Sequence, residues 1–381
     1  MYAASQAFHD AVRNGAHQIP LLIFEDAVFT TGDINVSSGI EFNDYFNAEE
    51  DLAIGQALSN ELIFSIFNDY GMLNTYEFGD FEATIGVQIG EATNSQIGKV
   101  YARSESHTYV AYDTSPYLTR DGSPVNSQPA SPVKTMLIYN GYVYCLLENY
   151  NVRVYKDSNG AYQNTMDLNE FMIGQMAKWA GKGIAYASRI LKIWEGTRER
   201  TYEFVPLGHF TAKRPKVPSV IEVHFECLDY MQKFEVDMPS ASELGITYPI
   251  SLAGLLDAMC QYVGVQRRAG TFINSTAMVT KHLEEFNNVT MREVLGWIAE
   301  AAAGVARFDR DGYLVIDWIH DTDTSMDESG YIEFLPYWYE TRPVTELCNR
   351  ASNGEYDNRI GNQTGDTYLI QDNPLLKGVS G

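Results

Sequence analysis

The chain has 381 residues, with 50 Asp plus Glu against 27 Lys plus Arg and a formal net charge of −23. That length predicts two or three domains with substantial cores, and a composition 45% apolar and 13% aromatic excludes a disordered acidic chain. An acidic balance of this size argues against a nucleic-acid-binding surface, which needs clustered Lys and Arg to displace phosphate counterions.

No apolar run reaches the ~20 residues that span a bilayer. The first residues, MYAASQAFHDAVRNG, have no basic leader before an apolar stretch, so a secretory signal is not expected. Residues 5–14 predict a short amphipathic helix with Phe8 and Val12 on one face. A strand is expected at Ile19–Glu25, and another over Leu62–Phe67 before the turn residues 68–71. Gly79, Gly86 and Gly90 mark further short strands, so the opening unit reads as mainly β.

Residues 91–130 are rich in Ser, Thr, Asn, Gly and Pro, and Asp121–Pro132 (DGSPVNSQPASP) reads as an exposed loop. Asn140-Gly141 and Asn159-Gly160 then sit between runs of β-formers. Asn-Gly supplies the positive φ angles of a type I′ turn, which predicts a β-meander. Asp167 and Glu170 stand at capping-box spacing before a helix through Phe171, Met172, Met176 and Trp179, stopped by Gly181 and Gly183. Strand-like sequence returns over residues 192–210. The run Val217–Met231 alternates, with Val220, Glu222, His224 and Glu226 on one face and Ile221, Val223, Phe225 and Cys227 on the other.

The most helical region follows. Ser251–Val265 places Leu252, Leu255, Leu256, Met259 and Val263 on one stripe. Val289–Gly304 opens with Thr290 and Glu293 at capping-box spacing and has Gly304 as its stop. Asp311-Gly312 predicts a hairpin. Helix, spacer, helix and hairpin thus define an α+β unit from about Ser251 to Ile319. Tyr331–Gly381 returns to short strands and turns, and no fixed-period repeat is visible.

The search for chemistry yields no candidate catalytic, cofactor-binding or metal-binding residue. Cys145, Cys227, Cys260 and Cys348 lack the close pairs a zinc ribbon needs and read as buried thiols, with two disulfides as the alternative. The run Asp321, Asp323, Asp327 and Glu328 fails the calcium-loop template, because the position for glycine holds Met326 and that for the bidentate Glu holds Ile332. His224 reads as a solvated strand residue, and Asp311 of the pair Asp309/Asp311 as a turn residue. Lys213-Arg214-Pro215-Lys216 reads as a solvated loop, with docking on an acidic partner as the alternative. There is no GxSxG, GxGxxG or P-loop.

Three stretches together resemble the hub proteins at the tip of phage tails, a group that includes contractile-phage baseplate hubs and the N-terminal part of siphophage tail-associated lysins. They are Glu49–Asn74 with the following Glu77–Phe81; Phe204–Met238; and Tyr248–Val265 with Phe286–Ile316. The resemblance implies an α+β, mainly-β fold: small β-barrel domains, a central α+β (helix–helix–hairpin) domain and an inserted β-meander domain. On that reading 1–90 plus 201–245 form the first barrel and 91–200 the inserted accessory domain. Residues 246–325 form the α+β domain, and 326–381 a C-terminal β segment that completes a second barrel or docking region.

The function implied is a structural hub, not an enzyme, located in the virion at the tail tip or baseplate and using no cofactor. Its partners would be two further copies in a homotrimer, the tail tube or distal tail protein, and tip, spike or fibre proteins. No sequence-specific nucleic acid is implied, but genome DNA would pass through a lumen lined by part of the acidic charge. The alternative is a tail-associated cell-wall hydrolase or host-polysaccharide-binding tail protein, with Trp179 and Trp194 stacking on sugars. Against that stands the reading of both tryptophans as core.

Overall fold

The computed structural model describes residues 4–24, 28–30, 32–35, 37, 39–43, 54–68, 73, 78–93, 98–166, 179–212, 221–280, 282, 288–318, 344–350, 356–361, 366–370 and 373–375. The chain divides into two compact units, Met1–Glu41 with Leu62–Cys227, and Phe42–Glu61 with Leu228–Gly381.

The first part of the chain opens with α1 (Gln6–Arg13), whose Ser5 cap accepts from the Phe8 N–H. Strands β1 (Gln18–Phe24), β2 (Val28–Thr30), β3 (Glu41–Asn43), β4 (Glu61–Phe67) and β5 (Asp80–Thr93) follow. A second group is β6 (Val100–Arg103), β7 (Thr108–Ala111), β8 (Leu118–Arg120) and β9 (Ser123–Pro124). The meander comprises β10 (Val133–Tyr139), β11 (Tyr142–Leu147), β12 (Val152–Lys156) and β13 (Tyr162–Met166). Then come β14 (Lys182–Ala187), β15 (Ile190–Glu195), β16 (Arg198–Thr211) and β17 (Glu222–Asp229).

Two long strands organise this sheet. β5 and β16 pair antiparallel over their whole length, Thr93 opposite Arg198 and Asp80 opposite Thr211. β1 lies on the far edge of β5, and β2 on β1. On its remaining edge β16 pairs with β15 from Arg198 to Glu203, and also with β17. One branch continues β15-β14-β10-β11-β12-β13, and the other β17-β4-β3. β10 and β14 are parallel. Strands β10–β15 are therefore hydrogen-bonded into the same sheet as β1, β4 and β17, whereas β6–β9 form a separate four-stranded sheet. Among the described residues no sheet closes into a barrel; the fold is mainly β, and apart from α1 the described helices belong to the second unit.

Phenylalanines fill the core beneath β1, β4, β5 and β17. Phe24 stacks on Phe81 at 4.6 Å, and Phe64 on Phe225 at 4.9 Å. Each such ring removes a large apolar area from water, and ring pairing adds about 0.5–1.5 kcal/mol. The small sheet β6–β9 packs on the meander through Tyr101, Tyr109, Val143, Tyr155 and Trp194.

The turns sort by chemistry. Asn140-Gly141 has φ of 48° and 77°, the type I′ geometry expected. Asp121-Gly122 is a second such turn, with φ of 50° and 79°. The expected exposed loop Asp121–Pro132 therefore begins as the β8–β9 hairpin, its strand signal hidden by Ser123-Pro124. Ser188-Arg189 makes the same turn without glycine, at φ 48° and 65°. At Asn159-Gly160 only the glycine is left-handed, and the loop is longer, closed by Lys156 N–H to Ala161 O at 2.9 Å.

The second unit carries a 3-10 helix (Tyr230–Phe234), α2 (Ala241–Leu244), α3 (Leu252–Val263) and α4 (Met291–Ala301). Its strands are β18 (Ile250–Ser251), β19 (Gln266–Arg267), β20 (Met278–Val279), β21 (Gly304–Phe308), β22 (Tyr313–Trp318), β23 (Val344–Arg350), β24 (Tyr356–Gly361) and β25 (Asp366–Ile370). They form the sheets β18-β20, β19-β22-β21 and β24-β23-β25.

Thr290 and Glu293 make both bonds of the expected capping box, and the stripe Leu252, Leu255, Leu256 and Met259 is buried. α4 stops earlier than Gly304: Ala303 takes the left-handed conformation (φ 59°) and Gly304 already belongs to β21. The core joins Leu255, Leu256, Met259, Val294, Ile298 and Phe308.

At Gly183 a β-carbon would overlap the Tyr101 carbonyl. Gly183→Ala is expected to destabilise the protein by about 1–3 kcal/mol through overpacking. The measurement is the shift of the denaturant midpoint followed by circular dichroism.

Candidate functional site

The second unit contains a buried polar joint. Residues 54–60 are hydrogen-bonded to β21: Gly55 N–H donates to Gly304 O, Leu58 N–H to Ala306 O, and Ala306 N–H to Gln56 O, each at 2.8 Å. Gly55 fits between two positions of α4. A β-carbon on Gly55 (φ 85°) would fall 2.7 Å from Glu300 Cβ, and one on Gly296 would fall 2.8 Å from Gly55 O.

Asp229 closes the joint. It is 2% exposed and accepts from the Asn60 N–H at 2.9 Å, the Ser59 hydroxyl at 2.9 Å and the Met231 N–H at 3.0 Å. The last bond caps the 3-10 helix. Arg292, on α4, donates from Nη2 and Nε to Ala57 O at 2.8 and 3.1 Å, and from Nη1 to Glu235. Burial pushes the Asp229 carboxyl up to about 6, opposed by those hydrogen bonds and by the Arg292 charge. Three donors occupy both carboxylate oxygens, so it holds backbone in place.

A second network sits on the small sheet of the first unit. His107 Nδ1 lies 2.8 Å from Asp121 Oδ2, and His107 Nε2 lies 2.5 Å from Arg120 Nη2. A guanidinium only donates, so Nε2 accepts and Nδ1 carries the proton given to Asp121. That arrangement occupies the lone pair a general base would use. Asp121 is held below the usual carboxylate range, first by the Thr108 N–H. Tyr109 donates to Asp157 Oδ1 at 3.0 Å, and its phenol is pushed well up, chiefly by burial. Arg120 Nη2 also donates to Ser158 O at 2.9 Å, which ties the β12–β13 loop to β8. Its members come from three turns, β6–β7, β8–β9 and β12–β13, brought together by sheet packing, so no local pattern in the sequence marks the cluster.

Cys145, Cys227 and Cys260 are free and buried, and burial pushes each thiol up to about 12. The side chain of Cys348 lies outside the described residues. His224 has Ser65 Oγ at 3.1 Å on Nδ1 and Glu226 at 3.6 Å on Nε2, a strand-face arrangement. Ile221, expected on the opposite, apolar face, lies just before β17 and is instead 65% exposed.

Asp309 accepts from the N–H groups of Asp311 and Tyr313 and pairs with Arg268, as a hairpin-loop residue does. Trp194 is 1% exposed and donates to Glu199 Oε2 at 2.9 Å, so it is a core residue unavailable to stack on a sugar; Trp179 is half-buried. The acids Asp321, Asp323, Asp327 and Glu328, the basic run 213–216 and the capping pair Asp167/Glu170 lie outside the described residues. Among the described residues no group of three or more His, Cys, Asp or Glu is placed to hold a metal ion, and no helix is long and apolar enough to cross a membrane.

Comparison of the chain with protein-family models, with curated proteins and with solved structures finds no match.

Asp229 generates a pH prediction. Its folded-state value of about 6 lies above the unfolded 3.8, so the folded chain binds the extra proton between these values. Stability therefore falls as pH rises from about 4 to about 6 and is level above, by on the order of 1–3 kcal/mol. Denaturant unfolding of the native chain and of Asp229→Asn across pH 4–8 should show this slope in the difference between the two, which cancels the carboxylates they share. Asp229→Ala, which strands two backbone N–H groups and a hydroxyl, should cost about 1–3 kcal/mol at pH 7.

Proposed function

We propose that this chain is a structural assembly protein, a hub of the phage tail-tip or baseplate kind. It acts as a trimer that joins a tail tube to tip proteins around the DNA exit channel. The observation that carries the reading is convergence. The three stretches resembling such hubs each contribute to the one buried joint of the second unit: Gly55, Ala57, Ser59 and Asn60 from the first; Asp229, Met231 and Glu235 from the second; Arg292 and Gly296 from the third. Residues that share one joint are constrained together, which is what preserves a pattern dispersed along a chain.

The distribution of charge supports the same reading. The second unit holds 28 acidic against 11 basic residues, a net −17, whereas the first holds 22 against 16, a net −6. In a ring, an acidic unit facing the lumen repels DNA phosphates and lets the polymer slide without sticking. The proposed barrels would offer a hexameric tube six near-equivalent docking faces from three subunits, which resolves the mismatch of threefold tip against sixfold tube.

Under this proposal the purified full chain assembles as a trimer and gives threefold rings in electron micrographs. A monomer at high concentration by light scattering, with no binding to a tube protein, would overturn it. Zymography on purified cell walls tests the competing hydrolase, since clearing by this chain alone would replace the hub reading.

A further inference from the structure

Three Asn-Gly pairs fall among the described residues, and the structure treats them differently. Asn-Gly is the dipeptide most open to intramolecular imide formation, because glycine puts no side chain in the way of its own backbone nitrogen. That nitrogen must be free of other bonds, and the peptide unit joining the two residues must be able to rotate. At Asn14-Gly15 the Gly15 N–H donates to Val12 O at 3.0 Å, closing the end of α1. At Asn159-Gly160 the Gly160 N–H donates to Lys156 O at 2.8 Å, Gly160 is buried, and Asn159 Oδ1 accepts from the Ala161 N–H at 2.9 Å. Asn140-Gly141 differs. Both residues are exposed, and among the described residues neither the Asn140 carbonyl, the Gly141 N–H nor the Asn140 side-chain amide has a hydrogen-bond partner. The unit is anchored beyond the reacting peptide, through Asp157 N–H to Gly141 O at 2.9 Å.

We propose that Asn140 is a site of spontaneous covalent modification selected by the fold. The Gly141 nitrogen, losing its proton to water, attacks Asn140 Cγ; the new C–N bond closes a five-membered imide, and the side-chain nitrogen leaves as ammonia. Water then adds to either imide carbonyl, giving aspartate or isoaspartate. The chain gains one negative charge between Tyr139 and Tyr142. In the isoaspartate product it also gains one backbone carbon at the apex of a two-residue turn whose geometry sets the β10–β11 register.

The test incubates the intact protein at mildly alkaline pH and maps the three peptides by mass spectrometry, with a parallel incubation in denaturant. In the folded chain Asn140 should convert about fivefold faster than Asn14 or Asn159, the factor that one hydrogen bond of about 1 kcal/mol represents. In the unfolded chain the three rates should draw together. Conversion of Asn14 or Asn159 as fast as Asn140 in the folded protein overturns the proposal. So does an unchanged ratio in denaturant, which would place the selectivity in local sequence and not in the fold.

Discussion

The pairing of β5 with β16 is the constraint on which the first unit depends. A strand has two hydrogen-bonding edges, and β16 gives one of them entirely to β5. Its other edge is shared between β15 and β17, so one strand belongs to both branches of the sheet. The register shifts at Thr201/Tyr202 and at Pro206/Gly208, where proline has no N–H to offer the ladder. Such shifts bend a strand and re-aim its side chains. The expected insertion is hydrogen-bonded to the strands that flank it because β5 and β16 extend past the point where a separate domain would begin.

Polar groups taken out of water in the second unit are matched to specific donors, and this explains where its chain can run. Residues 54–60 carry unpaired backbone groups that a connecting segment would ordinarily leave in solvent. β21, Asp229 and Arg292 satisfy those groups, and the small residues Gly55 and Gly296 allow the close approach. Asp229 carries an electrostatic cost for this role, seen in its upward shift, because a buried carboxylate is less well stabilised than a hydrated one. The His107 network on the first unit follows the same rule with different parts: each ring nitrogen is occupied, and the cluster holds three turns together.

Charge is unevenly divided. The second unit is strongly acidic and the first nearly balanced. A field of one sign, concentrated on one unit, acts on other charged polymers at a distance of about a Debye length, ~8 Å at physiological salt. That gives the net charge a place in the molecule, which the whole-chain total lacks.

Much of the local structure was legible from residue order alone. The Thr290 cap, the α3 stripe, the alternation of β17 and the Asn140-Gly141 turn all depend on neighbours a few residues away, and short-range physics determines them. The turns that escaped notice, Ser188-Arg189 and Asp121-Gly122, either lack glycine or are followed by proline, so propensity pointed elsewhere and pairing decided. The end of α4 was misplaced for a related reason. Gly304 has the chemistry of a helix stop, but its backbone is bound to Gly55, more than two hundred residues earlier in the chain. The branching of the sheet at β16, the joint at Asp229 and the cluster around His107 join residues separated by tens to hundreds of positions. No local periodicity encodes such partners; only packing, which brings buried donors and acceptors from distant segments together, selects them.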